Sequence, residues 1–187
     1  MPNDEYRRTT CITKIRILEA ELAALIVLFT DFGLEGPYIG QVKTVLHRVA
    51  PGVPVIDLFA DLPAAKPKPG AYLLAAYGAW FPSDTVFLAV VDPGVGGDRG
   101  AIVVKADSRW YVGPDNGLFE IVVRRAGAAH YWEIASPPVG VSASFHGRDL
   151  FAPAAKRVRS DAILPASRFD SEVIQLRRDR LVGVRRR

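Results

Sequence analysis

The sequence predicts an α/β fold: a mostly parallel central sheet flanked by helices, in a Rossmann-like three-layer arrangement. Two short apolar runs, residues 24–29 and 85–91, are uninterrupted by charged side chains, which is typical of strands buried on both faces. Segments whose apolar residues recur with helical spacing lie between such runs. This alternation of strand and helix indicates parallel strands joined by crossover helices.

Length and composition are those of one ordinary globular domain. The chain has 187 residues and is 49% hydrophobic, which is enough for a substantial core. Much of the net charge of +4 lies in residues 177–187, and no basic stripe is interleaved with aromatics, so we expect no nucleic-acid partner. No apolar run approaches a membrane span, so no membrane partner is expected. The single cysteine, Cys11, fits a reducing compartment, and we expect a cytoplasmic protein.

The first half of the chain is predicted to alternate strands with helices. Apolar residues recur with helical spacing from Tyr38 to Val49, and Pro51-Gly52 closes that helix. Residues 66–70 are rich in proline, so we expect a stiff loop there. The predicted elements are an N-terminal extension compatible with a short amphipathic helix (1–23), a strand (24–29), a helix (38–49), a strand (53–58), a helix (71–80) and a strand (85–91).

The second half is predicted to begin with two strands around a turn. These strands, residues 101–105 and 110–112, flank Asp107-Ser108. After them we expect a tight loop (113–117), a helix capped by Gly127 (118–125), a strand (130–135), a linker that begins at Pro137-Pro138 and a helix (150–158). The remaining residues have no clear pattern.

Three carboxylates end apolar strands: Asp31, Asp57 and Asp92. The carboxyl ends of parallel strands lie at one edge of the sheet, where ligands bind in open α/β folds, so we expect these side chains to share that edge. Such a cluster can bind ribose hydroxyls, hold a metal or act as a base. Asp92 leads into a glycine-rich loop that lets backbone approach a ligand, and Arg99 adds a positive charge after it.

Among the histidines, His146 has the strongest functional context. It lies in the glycine-containing stretch Phe-His-Gly-Arg-Asp, residues 145–149, which combines several chemically active side chains. His47 lies within a predicted helix and is expected to be structural or exposed. His130 is expected to pack within a strand.

Several common kinds of site are excluded by their missing motifs. The sequence has no Gly-x-x-x-x-Gly-Lys-Ser/Thr loop, no Gly-x-Gly-x-x-Gly after the first strand and no Gly-x-Ser-x-Gly elbow. It also lacks the His-x-x-x-His and Cys-x-x-Cys spacings of common metal sites. What remains is a nonmetal site in which Asp, Arg and His surround a small polar reactant, with Asp31 free to hold a sugar.

Four stretches occur in the order of a known family. They are residues 30–40 (TDFGLEGPYIG), 90–99 (VVDPGVGGDR), 114–117 (PDNG) and 145–149 (FHGRD). Each motif alone is modest, but the ordered set resembles the S-adenosylmethionine hydroxide adenosyltransferases, also called adenosine-forming SAM hydrolases. This family is related to the fluorinases and chlorinases.

The resemblance implies a reaction that needs no metal or redox cofactor, with S-adenosylmethionine (SAM) as the substrate. Water, activated as hydroxide, attacks C5′ of the ribose in line with the sulfonium, and adenosine and L-methionine form. The implied catalytic residues are Asp92, Arg99 and His146. Arg99 and His146 would favour hydroxide over water, while Asp92 would orient the hydroxide and the histidine. Substrate contacts are implied for Asp31, which would bind the ribose, and for Phe32, Tyr38, Gly94, Asn116, Gly147 and Arg148.

The same resemblance favours hydroxide over a halide as the nucleophile. The related halogenases carry Tyr where Asp92 stands and Ser where Gly147 stands. The chain also departs from the family at Ala60, where members often have His, and at Ala65, where a bulky residue is common. Both departures are expected to loosen the wall around the ribose.

The resemblance further implies a division of the chain. The family continues with a second, β-barrel-like domain that supplies adenine contacts across a trimer interface, which implies a homotrimer. Residues 159–187 are too few for that domain. We therefore expect an extension (1–23), a catalytic SAM-binding domain (24–158) and a truncated or divergent tail without the β-barrel. A noncatalytic domain that binds an adenosyl ligand is the alternative function.

Overall fold

The computed structural model describes residues 25–134, 140–159 and 176–181, which form a mixed seven-stranded sheet with helices on both faces. The strands are β1 (Ile26–Thr30), β2 (Val55–Phe59), β3 (Val86–Val90), β4 (Ala101–Ala106), β5 (Arg109–Pro114), β6 (Ala129–Ile134) and β7 (Leu176–Leu181). The helices are α1 (Tyr38–Val49), α2 (Pro67–Tyr77), a 3-10 turn (Gly78–Trp80), α3 (Glu120–Arg125), a π-helical turn (Gly147–Phe151) and α4 (Ala152–Arg159). The predicted α/β fold is confirmed.

The sheet has a parallel half and an antiparallel half. Its strand order is β2-β1-β3-β5-β4-β6-β7, and β2, β1, β3 and β5 run parallel to one another. The pairs β5–β4, β4–β6 and β6–β7 are antiparallel, so the sheet is more mixed than the sequence predicted. The β4–β5 reversal has a local cause: only Asp107-Ser108 joins these two strands, and a two-residue connection can only reverse the chain.

The hydrophobic core lies in two layers, one on each face of the sheet. Alternate residues of β1 serve different layers, because successive strand side chains point to opposite faces. Ile26 and Leu28 pack with α1 and α4, whereas Val27 and Phe29 pack with α2 and α3. All four are fully buried. The predicted three-layer arrangement is therefore present.

Two predictions are wrong: the stiff loop at residues 66–70 and the helix cap at Gly127. The proline-rich segment 66–70 is mostly helix, since α2 begins at Pro67. Proline suits the first turn of a helix, where its missing N–H has no intrahelical partner. Gly127 does not cap α3: the helix ends at Arg125, its C-cap Ala126 has an extended backbone, and the Gly127 N–H donates to Asp107 Oδ1 at 2.9 Å.

The described part of the tail forms a strand that the sequence did not predict. Residues Leu176–Leu181 form β7 and pair antiparallel with β6. The predicted N-terminal helix and the Pro137-Pro138 linker lie outside the described residues. Over the ranges that the structure covers, no helix combines the length and apolar character needed to cross a membrane.

Candidate active site

The carboxyl edge of the parallel strands brings two of the predicted carboxylates together. Neighbouring strands β1 and β3 pair in register, with Thr30 opposite Val90. Asp31 directly follows β1, and Asp92 lies just beyond the end of β3. The two side chains therefore leave adjacent strands at the same edge, as the sequence predicted.

Asp57 does not belong to this edge. It lies inside β2, opposite Leu28, because the strand continues to Phe59. Its carboxylate accepts a hydrogen bond from Lys43 Nζ of α1 at 2.5 Å. Both side chains are substantially exposed, at 40% for Asp57 and 34% for Lys43, so this is a surface ion pair.

Asp92 and Arg99 form a largely buried ion pair that is the centre of the candidate site. Arg99 Nε lies 3.0 Å from each carboxylate oxygen of Asp92, and Nη2 donates to Oδ2 as well. The two side chains are only 5% and 12% exposed, respectively. Such a charge-assisted, two-point contact fixes the plane of the guanidinium. Arg99 also lies over the ring of the fully buried Phe151, with its Cζ 5.2 Å from the ring centroid.

Glycines allow the loop between these residues to fold tightly. A Cβ at position 94 would lie 3.3 Å from Arg99 Cγ, so Gly94 lets the loop wrap around the arginine stem. Gly96 has a φ of +78°, and a Cβ there would lie 2.7 Å from the carbonyl oxygen of Ala143. Gly96 therefore brings this loop against the segment that precedes His146.

His146 completes the cluster from a distant part of the chain. Its Nδ1 lies 2.8 Å from Nη2 of Arg99, although the two residues are 47 positions apart. A guanidinium can only donate, so Nδ1 accepts and Nε2 carries the ring proton. We expected Asp92 to orient the histidine; in the structure Arg99 lies between them and makes that contact.

The surroundings of His146 favour the neutral imidazole. Burial lowers its pKa from the ordinary value, and the positive charge of Arg99 lowers the pKa further. The carboxylates of Asp92 and Asp149 oppose this effect but do not overcome it. The site thus combines a fixed cation with a neutral imidazole that presents an N–H group.

Asp31 is held by the loop that precedes α2. Its Oδ2 accepts the Ala65 N–H at 2.8 Å, and Leu62 N–H donates to the carbonyl oxygen of Thr30 at 3.2 Å. Ala65 adopts a left-handed backbone with φ of +56° to make this bond. A carboxylate has lone pairs for several donors, so Asp31 retains capacity to accept bonds from a ligand.

An aromatic pair lies beneath the backbone next to His146. The rings of Phe32 and Tyr38 meet edge to face, with centroids 4.6 Å apart. A Cβ at Gly147 would lie 2.6 Å from Phe32 Cζ and 2.9 Å from the Tyr38 hydroxyl, so only glycine fits there without a shift. The Tyr38 hydroxyl accepts the Arg148 N–H at 3.2 Å, and burial raises the pKa of Tyr38.

Two of the polar side chains expected to bind substrate are already engaged within the protein. Asn116 Nδ2 donates to the Val91 carbonyl at 2.8 Å, and its Oδ1 accepts the Leu118 N–H at 3.3 Å. Asn116 therefore fastens the loop after β5 to the backbone beside Asp92. Arg148 contacts Asp149 and Gln41.

Residues that sequence reasoning missed act mainly through backbone or packing. Gln41 contributes an amide on α1 and Phe151 a ring under Arg99. At Ala65, which the sequence singled out only for its small side chain, the contributing group is the backbone N–H. None of these residue types carries a local signal of function. Within the described ranges, no group of three or more His, Cys, Asp or Glu side chains is arranged to hold a metal ion.

Comparison with known proteins finds one family model and several relatives that match most of this chain. Residues 26–167 match the family described as the SAM hydroxide adenosyltransferase N-terminal domain. The chain is 43% identical to a protein of Thermus thermophilus and 40% identical to one of Salinispora arenicola, both named (R)-S-adenosyl-L-methionine hydrolase. These alignments cover 70% and 72% of the chain but 54% and 53% of the relatives, so the chain spans about half of their length.

A solved structure has the same fold over the same part of the chain. It is a protein of Thermotoga maritima described as an uncharacterized conserved protein, with a TM-score of 0.69 and 36% sequence identity. The match covers 72% of this chain and 54% of that one.

Proposed function

The chain belongs to the SAM hydroxide adenosyltransferase family, and on that premise we propose that it hydrolyses S-adenosyl-L-methionine to adenosine and L-methionine. The substrate we propose is the (R) sulfonium epimer, as in the names of the relatives. The observation that carries the proposal is the partly buried Asp92–Arg99–His146 cluster, in which Asp92 leaves the same sheet edge as Asp31.

The proposed reaction is a single in-line displacement. An oxygen atom of water or hydroxide forms a bond to C5′ of the ribose, and the C5′–S bond breaks. The bonding electron pair moves to sulfur, which leaves as the neutral thioether of methionine. The proton lost by the water passes to solvent. Because the leaving group is good, the protein has mainly to position the nucleophile and favour its deprotonated form.

Each member of the cluster is proposed to have a distinct task. Asp92 holds the guanidinium of Arg99, and Arg99 holds His146 through Nδ1. The Nε2–H group of His146 then donates to the nucleophilic oxygen, and the positive charge of Arg99 favours hydroxide over water. Burial strengthens both effects, because charge is poorly screened away from solvent. His146 acts as a hydrogen-bond donor in this scheme.

Substrate positioning is proposed to rely on Asp31 and on the aromatic pair. Asp31 would accept hydrogen bonds from the ribose hydroxyls while its Oδ2 keeps the bond to Ala65. Phe32 and Tyr38 would form the floor beneath the reacting carbon. Gly94 and Gly147 would bring backbone close to the substrate, whereas Asn116 is proposed to support the site from behind.

Hydroxide, rather than a halide ion, is the proposed nucleophile. The close packing of Gly147 against Phe32 and Tyr38 supports this choice, since the serine of the halogenases would not fit there without a shift. We propose no metal or redox cofactor. We also propose a homotrimer in the cytoplasm, which light scattering on the purified chain and cell fractionation would test.

A chromatographic assay that follows adenosine and methionine together would test the proposed reaction. The 187-residue chain should release both products from SAM in equal amounts, and Asp92→Ala should abolish release. Equal release in the presence and absence of chelator would support the absence of a metal. Saturable SAM binding without turnover would instead favour the alternative, a noncatalytic adenosyl-ligand-binding domain.

A further inference from the structure

Arg148, for which the family resemblance implied a substrate contact, has its guanidinium hydrogen-bonded to other residues of the protein. Its Nε donates to Asp149 Oδ1 at 2.6 Å, and Nη2 donates to Asp149 Oδ2 at 3.0 Å. The third nitrogen, Nη1, donates to Gln41 Oε1 at 2.9 Å. The guanidinium also lies over the ring of Phe145, with its Cζ 4.8 Å from the ring centroid. All three nitrogens therefore have protein partners on two separate elements.

These contacts tie the His146 loop to helix α1. Gln41 belongs to α1, so the bond from Arg148 spans 107 positions of the sequence. The Arg148 backbone N–H adds a second tie, because it donates to the Tyr38 hydroxyl of the same helix at 3.2 Å. The rings of Tyr38 and Phe145 also pack together, with centroids 5.4 Å apart. The backbone and side chain of Arg148 thus hold one loop against one helix.

Asp149 extends the same connection to the start of the loop. Its Oδ2 accepts the Ser142 N–H at 3.2 Å while also accepting from Arg148. The Arg148 guanidinium lowers the pKa of Asp149, so the carboxylate stays charged and keeps both bonds. Residues on both sides of His146 are therefore fixed by one ion pair.

The imidazole of His146 is positioned by this arrangement. It lies between the residues that the ion pair fixes, and its Nδ1 must stay near the 2.8 Å distance from Arg99 to accept a hydrogen bond. The adjacent Gly147 packs closely against Phe32 and Tyr38. Because Gly147 follows His146 directly in the chain, a displacement of this loop would also move the imidazole.

We propose that Arg148 is a positioning residue: its ion pair with Asp149 and its bond to Gln41 hold His146 against Arg99. This inference rests on the proposed function for its kinetic consequences, but its structural consequence is independent of turnover. Arg148 acts through His146 and does not contact the substrate. Its guanidinium fork matters, because three separate nitrogens make these contacts and a lysine has only one.

The kinetic test uses Arg148→Lys and Arg148→Gln in the full chain. Loss of His146 alignment should lower kcat about 10- to 100-fold, while KM for SAM changes by less than about twofold. Lys43→Met is the matched control: it breaks an ion pair on the same helix that does not touch the loop, and it should leave both constants unchanged. A large rise in KM with kcat preserved would overturn the proposal, because Arg148 would then contact substrate.

The second measurement follows the His146 imidazole by NMR during a pH titration. Arg148→Lys keeps the positive charge, so any shift reports geometry. If the imidazole moves away from Arg99, its titration midpoint should rise, since Arg99 lowers the pKa of His146. An unchanged midpoint in the folded variant would refute the positioning role. If the native chain releases no adenosine, the proposed function fails, and the titration alone still decides the role of Arg148.

Discussion

Burial makes the Asp92–Arg99 ion pair the most informative one to break. Its side chains are 5% and 12% exposed, whereas those of the Asp57–Lys43 pair are 40% and 34% exposed. Asp92→Asn leaves the largely buried guanidinium without a counter-charge, which should lower the free energy of unfolding by about 2 kcal/mol or more. Asp57→Asn breaks an exposed pair and should cost less than about 1 kcal/mol.

Urea denaturation of both variants, with unchanged m-values, would measure this difference. The adenosine assay adds a second comparison, because Asp92→Asn should also lose turnover while Asp57→Asn keeps it. Equal stability losses in the two variants would refute the reasoning, since burial would then not distinguish the pairs. So would an Asp92→Asn variant that keeps both its stability and its activity.

Three further predictions concern the same site. Because the pKa of His146 is lowered, the acid limb of the pH–rate profile should lie below about pH 6.5, the ordinary value for histidine. The unfolded chain takes up this proton first, so the free energy of unfolding should also fall as the pH drops from about 6.5 toward the folded pKa. An acid limb above about pH 6.5 would contradict this prediction. Gly147→Ala should cost about 1–3 kcal/mol in a thermal melt because its Cβ meets Phe32, whereas Gly40→Ala on an open face of α1 should stabilise the fold. Asn116→Ala should cost about 1–3 kcal/mol by leaving the Val91 carbonyl without its donor, and KM for SAM should not change; a raised KM would restore Asn116 as a substrate contact.

Parts of the structure that depend on local pattern were predictable. The buried strands around residues 26–30 and 86–90 follow from short apolar runs, and the helix Tyr38–Val49 follows from its apolar period. Asp31 and Asp92 could be placed at one edge because parallel strands end together. The prediction of a loop at residues 66–70 was wrong, because proline suits the first turn of a helix as well as a loop, and α2 begins at Pro67.

By itself, the sequence determined the α/β class, most element positions and the family, and it named candidate site residues. Only the tertiary structure decided which of those residues contact one another. It placed Arg99 between Asp92 and His146, moved Asp57 to the surface and engaged Arg148 with Asp149 and Gln41. The physical reason is that strand and helix periods are encoded over a few residues. Contacts between residues 47 or 107 positions apart depend on how whole elements pack.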